Sequence, residues 1–308
     1  GITRARTLAG NQKGQIILIA DMEVGSTTVA GTLDASAPNG GDGGFIETSA
    51  ANVKIQDGVN ITTQSAQGKN GQWLIDPHDF TIAASGGDIT GAALGTALLS
   101  NSVTIQTLAS SVSCTGAICG MGKADGNGDI FVNDAINAGT SNNTLTLQAH
   151  RDINVNKAVT VGGLNLTAVR NVNVNDVVTV NNSLAVNYGA NSDFTPNTSV
   201  RPTDNGALNM KLTPDGFVGK INLGSSATVN LNGSTYTVIR DRAGLEAIQG
   251  GSIAATFSPF KYVLGNDIDL QNVAWTPTAT FQGSFDGLGH KVTGLSVNST
   301  DSNVGFFR

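Results

Sequence analysis

The stretch NGQWLIDPHDF, residues 70 to 80, places Trp73, Asp76, His78 and Asp79 within seven positions. An acid beside a histidine can orient an imidazole for general acid–base work. Three other places carry groups with chemical potential. In KADGNGDIFV, Asp125, Asn127 and Asp129 offer oxygen ligands at the first three spacings of a calcium loop. Ile130 stands where the sharp-turn glycine belongs, and Ile136 where a bidentate glutamate belongs, so a solvated turn is the plainer reading. In GNDIDL, Asp267 and Asp269 lie two apart and would share one face of a strand, the pattern of a paired-carboxylate glycosidase. The competing reading is a turn fixed by Asx hydrogen bonds. In SFDGLGH, Asp286, Gly287 and Gly289 are tight-turn residues, and His290 reads as a stacked or capping residue.

Two cysteines, Cys114 and Cys119, sit in SCTGAICG. Two thiols cannot fill a tetrahedral zinc site, and no histidine is near in sequence. The preferred reading is a small loop-closing disulfide in an oxidising compartment, the alternative a pair of free thiols. No GxSxG or HExxH segment is present. Calcium is the one cofactor candidate, and no catalytic residue is assigned.

The elements that must position these groups are strands. Only 13% of the 308 residues are charged, against ~25% in an ordinary soluble protein. The net charge of -6 argues against a nucleic-acid partner. Short segments such as GQIILIA (14–20), FIETSA (45–50), NVKIQ (52–56) and SVTIQT (102–107) are rich in β-branched residues and bounded by Gly, Asn or Asp. GAALGTALLS (91–100) and AGLEAIQ (243–249) alone read as short helices. No apolar run is long enough to span a membrane as a helix. The first residues hold no apolar leader, and NVGFFR stops inside an apolar pattern, so both ends read as cuts in a longer polypeptide.

The central third repeats. RDINVNKAVTVGGLNLTAV (151–169) and RNVNVNDVVTVNNSLAVNY (170–188) align, with Ile153 over Val172, Val155 over Val174, and Leu145, Leu164 and Leu184 in one series. A period near 20 without helical signal predicts a solenoid of strands. Like then stacks on like. Ile153, Val155, Val172 and Val174 face inward, while Asn154, Asn156, Asn173 and Asn175 face outward in amide ladders. Leu33, Val53 and Leu74 suggest the same 20-residue spacing near the N-terminus. The expected fold is all-β: a right-handed parallel β-helix with rungs of about 20 residues and inserted short helices and loops. In that scheme Trp73 caps or flanks the column, Pro77 turns the chain between sets of coils, and His78 and Asp79 are exposed turn residues.

Several stretches resemble a known family. GGDGGFIETSAANVKIQDGVNITTQSAQGKNGQWLIDPHDFTI looks like the repeat-to-loop passage of filamentous haemagglutinin-like exoproteins, and RDINVNKAVTVGGLNLTAVRNVNVN resembles their repeats. YTVIRDRAGLEAIQ, YVLGNDIDL and FQGSFDGLGHKVTGLSVNSTDSNVGFF resemble the GLUG module. No NPNG-type secretion signature is present. The resemblance implies a large bacterial adhesin exported by two-partner secretion and folded as a right-handed parallel β-helix. It implies four parts: β-helix rungs over 1–84, a helix, strand and Cys-containing loop insert over 85–128, tandem rungs over 129–240, and a GLUG-like module over 241–308. Implied partners are glycans or proteins of host-cell, matrix or bacterial surfaces, plus an outer-membrane transporter during export; self-association fits the same picture. The competing classes are a polysaccharide lyase or hydrolase on the same scaffold and a non-catalytic glycan-binding module.

Overall fold

A computed structural model describes residues 1–7, 12–108, 127–197, 206–248, 260–276, 281, 283–298 and 305–307. The described chain is predominantly β, and its sheets are mainly parallel. The largest sheet runs through the strands Gln15–Ile19, Phe45–Ser49, Gln72–Asp76, Ser102–Gln106, Thr144–Ala149, Val159–Ala168 and Val177–Tyr188, then on to Thr228–Leu231. A second sheet stacks Phe80–Ile82, Ile130–Val132, Ile153–Val155, Val172–Val174 and Leu208–Met210. A third, at the N-terminal end, pairs Ile2–Arg4, Thr32–Asp34 and Asn60–Thr62.

Alternation decides which residues meet. In the largest sheet Ile46, Trp73, Val103, Leu145, Leu164, Leu184 and Val229 follow one another from strand to strand, all buried. In the second sheet Phe80, Ile130, Ile153 and Val172 form one buried file, and Ile82, Val132, Val155 and Val174 the next. Each such aliphatic side chain contributes roughly 1.5–3 kcal/mol by leaving water. Parallel pairing in register lets one file serve many strands, and the two sheets share a single core.

The spacing is not uniform. Ile153 pairs with Val172 and Leu145 with Leu164, both 19 positions apart. Near the N-terminus the paired residues are 26 to 30 apart, as in Ser26 with Asn52, Thr32 with Asn60 and Ile2 with Thr32. The series Leu33, Val53, Leu74 is therefore not a stack. Leu33 pairs with Ile61, Val53 with Thr27, and Leu74 with Glu47 on the outer side of its strand. Regular alternation makes any apolar series two, twenty or twenty-six apart look plausible; loop length, not period, sets the register here.

The helix Gly91–Ala97 is started by Thr90, whose hydroxyl accepts from the Ala93 N–H at 3.2 Å. Leu94 and Leu98 are buried against the core. A Cβ at Gly91 would lie 2.1 Å from the Ala135 carbonyl oxygen, so the helix approaches that backbone only as glycine. The strand Ser102–Gln106 that follows is a full member of the largest sheet rather than part of an insert. Two antiparallel hairpins interrupt the parallel order. Thr228–Leu231 folds back on Ser234–Ile239 through Asn232 and Gly233, both at positive φ, the chemistry of a tight hairpin turn. Leu212–Thr213 pairs with Gly216–Phe217. Beyond residue 239 a second buried cluster gathers Ile239, Leu245, Tyr262, Leu264, Ile268 and Trp275, with Phe306 stacked on Trp275 at 5.1 Å. The helix Arg242–Glu246 lies in this region, capped by Asp241.

Candidate functional site

The segment that opened the question is built into the fold rather than displayed on it. Trp73 is fully buried in the shared core and donates from Nε1 to the Thr48 hydroxyl at 3.1 Å. It neither caps nor flanks the column. A buried indole N–H needs an acceptor, and Thr48 on the neighbouring strand supplies it. Pro77 is buried, and its carbonyl accepts from Leu108 N–H. The strand Gln72–Asp76 belongs to the largest sheet and Phe80–Ile82 to the second. Residues 77–79 are thus the corner between two sheets, and the same corner recurs at 150–152 and 169–171. They are not a boundary between sets of coils.

His78 and Asp79 are not exposed turn residues. His78 is 4% exposed, and its Nε2 donates to the Met22 carbonyl at 2.7 Å. A polar ring turned inward is tolerated because a backbone oxygen meets it. Asp79 is half-buried, and its Oδ1 accepts the backbone N–H of Asn127 at 3.0 Å and of Asp129 at 2.8 Å.

That contact begins a ladder. Asp129 Oδ1 accepts the N–H of Asp152, Asp152 Oδ1 that of Asn171, and Asn171 Oδ1 that of Ala207, all at 3.0–3.1 Å. Asp79, Asp129, Asp152 and Asn171 each stand directly before a strand of the second sheet. Each side chain caps the amide of the equivalent residue one strand further along. Arg151 grips Asp129 and Arg170 grips Asp152, each through two guanidinium nitrogens. Burial works against the Asp152 charge, yet Arg170 and the Asn171 amide hold its carboxyl below the usual range. The signal was in the sequence, in HDF, GDI, RDI and RNV, but only the pairing shows that these residues succeed one another.

The ladder also takes up one residue of the calcium candidate. Asp129 is buried, with both carboxylate oxygens committed to Arg151 and Asp152. Asn127 lies beside it and gives its amide N–H to Asp79. Asp125, Cys114 and Cys119 lie outside the described residues. Among the described residues no group of three or more His, Cys, Asp or Glu side chains is arranged to hold a metal ion. The cation that Asp129 meets is the Arg151 guanidinium, from the corner before the next strand of the second sheet.

The paired-carboxylate reading also separates. Asp269 caps the Gln271 N–H at 2.9 Å. Asp267 accepts from His290 Nδ1 at 3.0 Å and from the Lys291 N–H at 3.2 Å. Burial raises the Asp267 carboxyl, but these bonds and the nearby Lys220 leave it below the ordinary value. His290 is buried, and its Nε2 lies 2.8 Å from the Ile221 carbonyl oxygen, which with the Nδ1 contact makes a pair that only the doubly protonated ring donates at once. Both ring nitrogens thus serve the packing of 267–291 against the strand Lys220–Leu223. His150 is pressed edge-on to Phe194 at 5.3 Å, and burial pushes its imidazole below the usual value.

Four groups are poorly satisfied: besides Asp76, the buried His150 Nε2, Asn187 Oδ1 and Arg240 Nε lack a partner among the described residues. Asp76 Oδ1 is buried without a hydrogen-bond partner among the described residues. Burial, and then the charge of Glu47, push its carboxyl up to about 7. Glu47 itself accepts from the Ser49 hydroxyl at 2.9 Å.

The outward faces carry amides in rows. Asn156 bridges Asn133 and Asn175, and Asn173 bridges Asn154 and Asn209, at 2.7–2.9 Å. Ile153, Val155, Val172 and Val174 lie on the opposite, buried side. Comparison with family models, with curated proteins and with solved structures finds no match.

Proposed function

We propose that this chain is a segment of a large secreted bacterial surface exoprotein of the filamentous haemagglutinin-like kind. It winds as a right-handed parallel β-helix, with a GLUG-like module at its C-terminal end, and acts as a stiff shaft with an adhesive surface. It serves attachment, aggregation or biofilm formation without turning over a substrate. The observation that carries this reading is the ladder order itself. Files of buried aliphatic residues inside, and Asp–amide, Arg–Asp and Asn–Asn ladders outside, tie each strand to the next. Such a construction favours stiffness along the stacking direction and presents long surfaces rather than an enclosed pocket. Asp79, His78, Asp267, Asp269 and His290, which first suggested catalysis, all bond the backbone.

Partners on this reading are glycans or proteins of host-cell, matrix or bacterial surfaces, with an outer-membrane transporter during export. The test displays the chain on beads over cultured cells, extracellular matrix and bacterial lawns, and in parallel assays polysaccharides for released reducing ends. Adhesion without sugar release is expected. Release of reducing ends above that of a heat-denatured control overturns the reading in favour of a polysaccharide-active enzyme.

A further inference from the structure

The outer face of the N-terminal sheet gathers two arginines on a single acid. Parallel register places Arg4 beside Asp34, and Asp34 beside Thr62. The pairing runs on through Thr7 N–H to the Ser36 carbonyl and Ala37 N–H to the Gln64 carbonyl, which brings Arg6, Ser36 and Gln64 into the next row. The result is an open groove of about 590 Å³. Its charged centre is two guanidiniums on one carboxylate. Arg4 Nε and Arg6 Nε reach Asp34 Oδ2 at 3.0 and 2.8 Å. The other Asp34 oxygen accepts the Ser36 N–H at 3.1 Å.

The acid is therefore saturated and the arginines are not. Asp34 is 5% exposed at its side chain, whereas Arg4 and Arg6 remain 50% and 45% exposed. Each guanidinium has five N–H donors, and the Nη groups of Arg4 have no acceptor among the described residues. The face keeps one net positive charge on a chain of net charge -6. Around it stand neutral hydroxyls and amides, Thr62 and Gln64 among them, with Ile2, Pro38 and Ala66 as apolar patches of the kind a sugar ring face can cover. An isolated positive fork set among hydroxyl and amide groups matches a carboxylate carried on a polyhydroxylated chain.

We infer that the groove over Arg4, Arg6 and Asp34 binds a carboxylate-bearing saccharide, a uronic-acid glycan, with the two guanidiniums clamping the carboxylate and Thr62 and Gln64 meeting neighbouring hydroxyls. The inference rests on the adhesive reading above and gives it a ligand class. Asp34 acts as the positioning residue that holds both forks toward the groove.

The test titrates the whole chain with trigalacturonate, its methyl ester and a sulfated neutral trisaccharide. Trigalacturonate is expected to bind at least tenfold more tightly than either. Arg4→Gln and Arg6→Gln should each weaken it at least fivefold, and Arg6→Lys by less. Equal binding of the ester, binding unchanged in the double Gln variant, or no binding at all overturns the site. Equal binding of the sulfated sugar overturns the carboxylate assignment. If the Gln variants lose their folded circular dichroism, the ester comparison on the unaltered chain decides. A chain that still adheres in the bead assay but ignores trigalacturonate loses this groove and keeps the adhesive reading.

Discussion

The N-terminal part, up to the strand Ser102–Gln106, and the central part, from Ile130 to Tyr188, share one core but solve different problems. In the centre, paired residues sit 19 to 23 apart and like mostly meets like: Ile130 and Ile153; Leu145, Leu164 and Leu184; Val159 and Val178; Asn154 and Asn173. Near the N-terminus, loops of unequal length set spacings of 26 to 30, and unlike residues meet: Ile46 on Trp73 on Val103, Glu47 on Leu74 on Thr104. In the centre the acids at strand starts are paired with arginines and amides. In the N-terminal part Asp76 is buried beside Glu47 with an oxygen left over. Repetition lets one good contact be copied, and without it each level needs its own fit; single misfits occur in both parts, since His150 Nε2 and Asn187 Oδ1 in the centre are likewise buried without a partner among the described residues.

Removing a large side chain should hurt the irregular part more. Trp73→Ala leaves both a cavity and an unmatched Thr48 hydroxyl, and should cost about 4 kcal/mol in chemical denaturation. Leu166→Ala, flanked by Leu147 and Val186, should cost about 3 kcal/mol. Equal losses would erase the distinction.

The ladder acids give the next contrast. Asp152→Ala should cost about 2 kcal/mol, since it frees the Asn171 amide and the Arg170 guanidinium. The Asp152 carboxyl lies below its unfolded value, so its contribution is present above about pH 4. It is lost as pH falls through the folded value. Urea midpoints of the two chains should therefore converge in acid.

Asp76 has the opposite sign. Its folded value of about 7 lies above the unfolded one, so ionisation destabilises the fold increasingly from about pH 4 to 7 and then levels off. Asp76→Asn should stabilise the chain by roughly 1–2 kcal/mol at pH 8, with the gain vanishing near pH 4. A loss at pH 8 would mean that the carboxylate has a role the packing does not reveal. The smallest effect belongs to the outer amides. Asn173→Ala removes two side-chain bonds at a half-buried position, and should cost only about 0.5–1 kcal/mol by the same midpoints.

What the sequence made legible follows the same division. The central register could be read because identical residue types recur at a fixed interval, and parallel pairing puts equivalents side by side. Both short helices could be read from their apolar spacing. The N-terminal register could not, because alternation at period two is blind to loop length, and Leu33, Val53 and Leu74 fell on a false interval. Asn232-Gly233 between alternating residues was a hairpin signal that the assumption of uniform parallel stacking hid. His78 and Asp79 misled in both directions. They looked first like chemistry and then like exposed punctuation, whereas one is buried and the other caps the strand that follows across the sheet. A polar residue at a strand start is informative only once its neighbour in the stack is known.

The regular and irregular parts form one continuous run of paired strands. Ile17, Glu47, Leu74, Thr104, Thr146, Asn165, Ala185 and Asn230 succeed one another on the outer side of the largest sheet. Spin labels at Ile17→Cys and Asn230→Cys, in a chain whose Cys114 and Cys119 are changed to Ser, measure that stack by dipolar spectroscopy. Strands about 4.8 Å apart predict a single narrow distance of roughly 34 Å between label sites, and roughly 19 Å for Thr104→Cys with Asn230→Cys. A broad distribution for the long pair, or a long distance no greater than the short one, would contradict it.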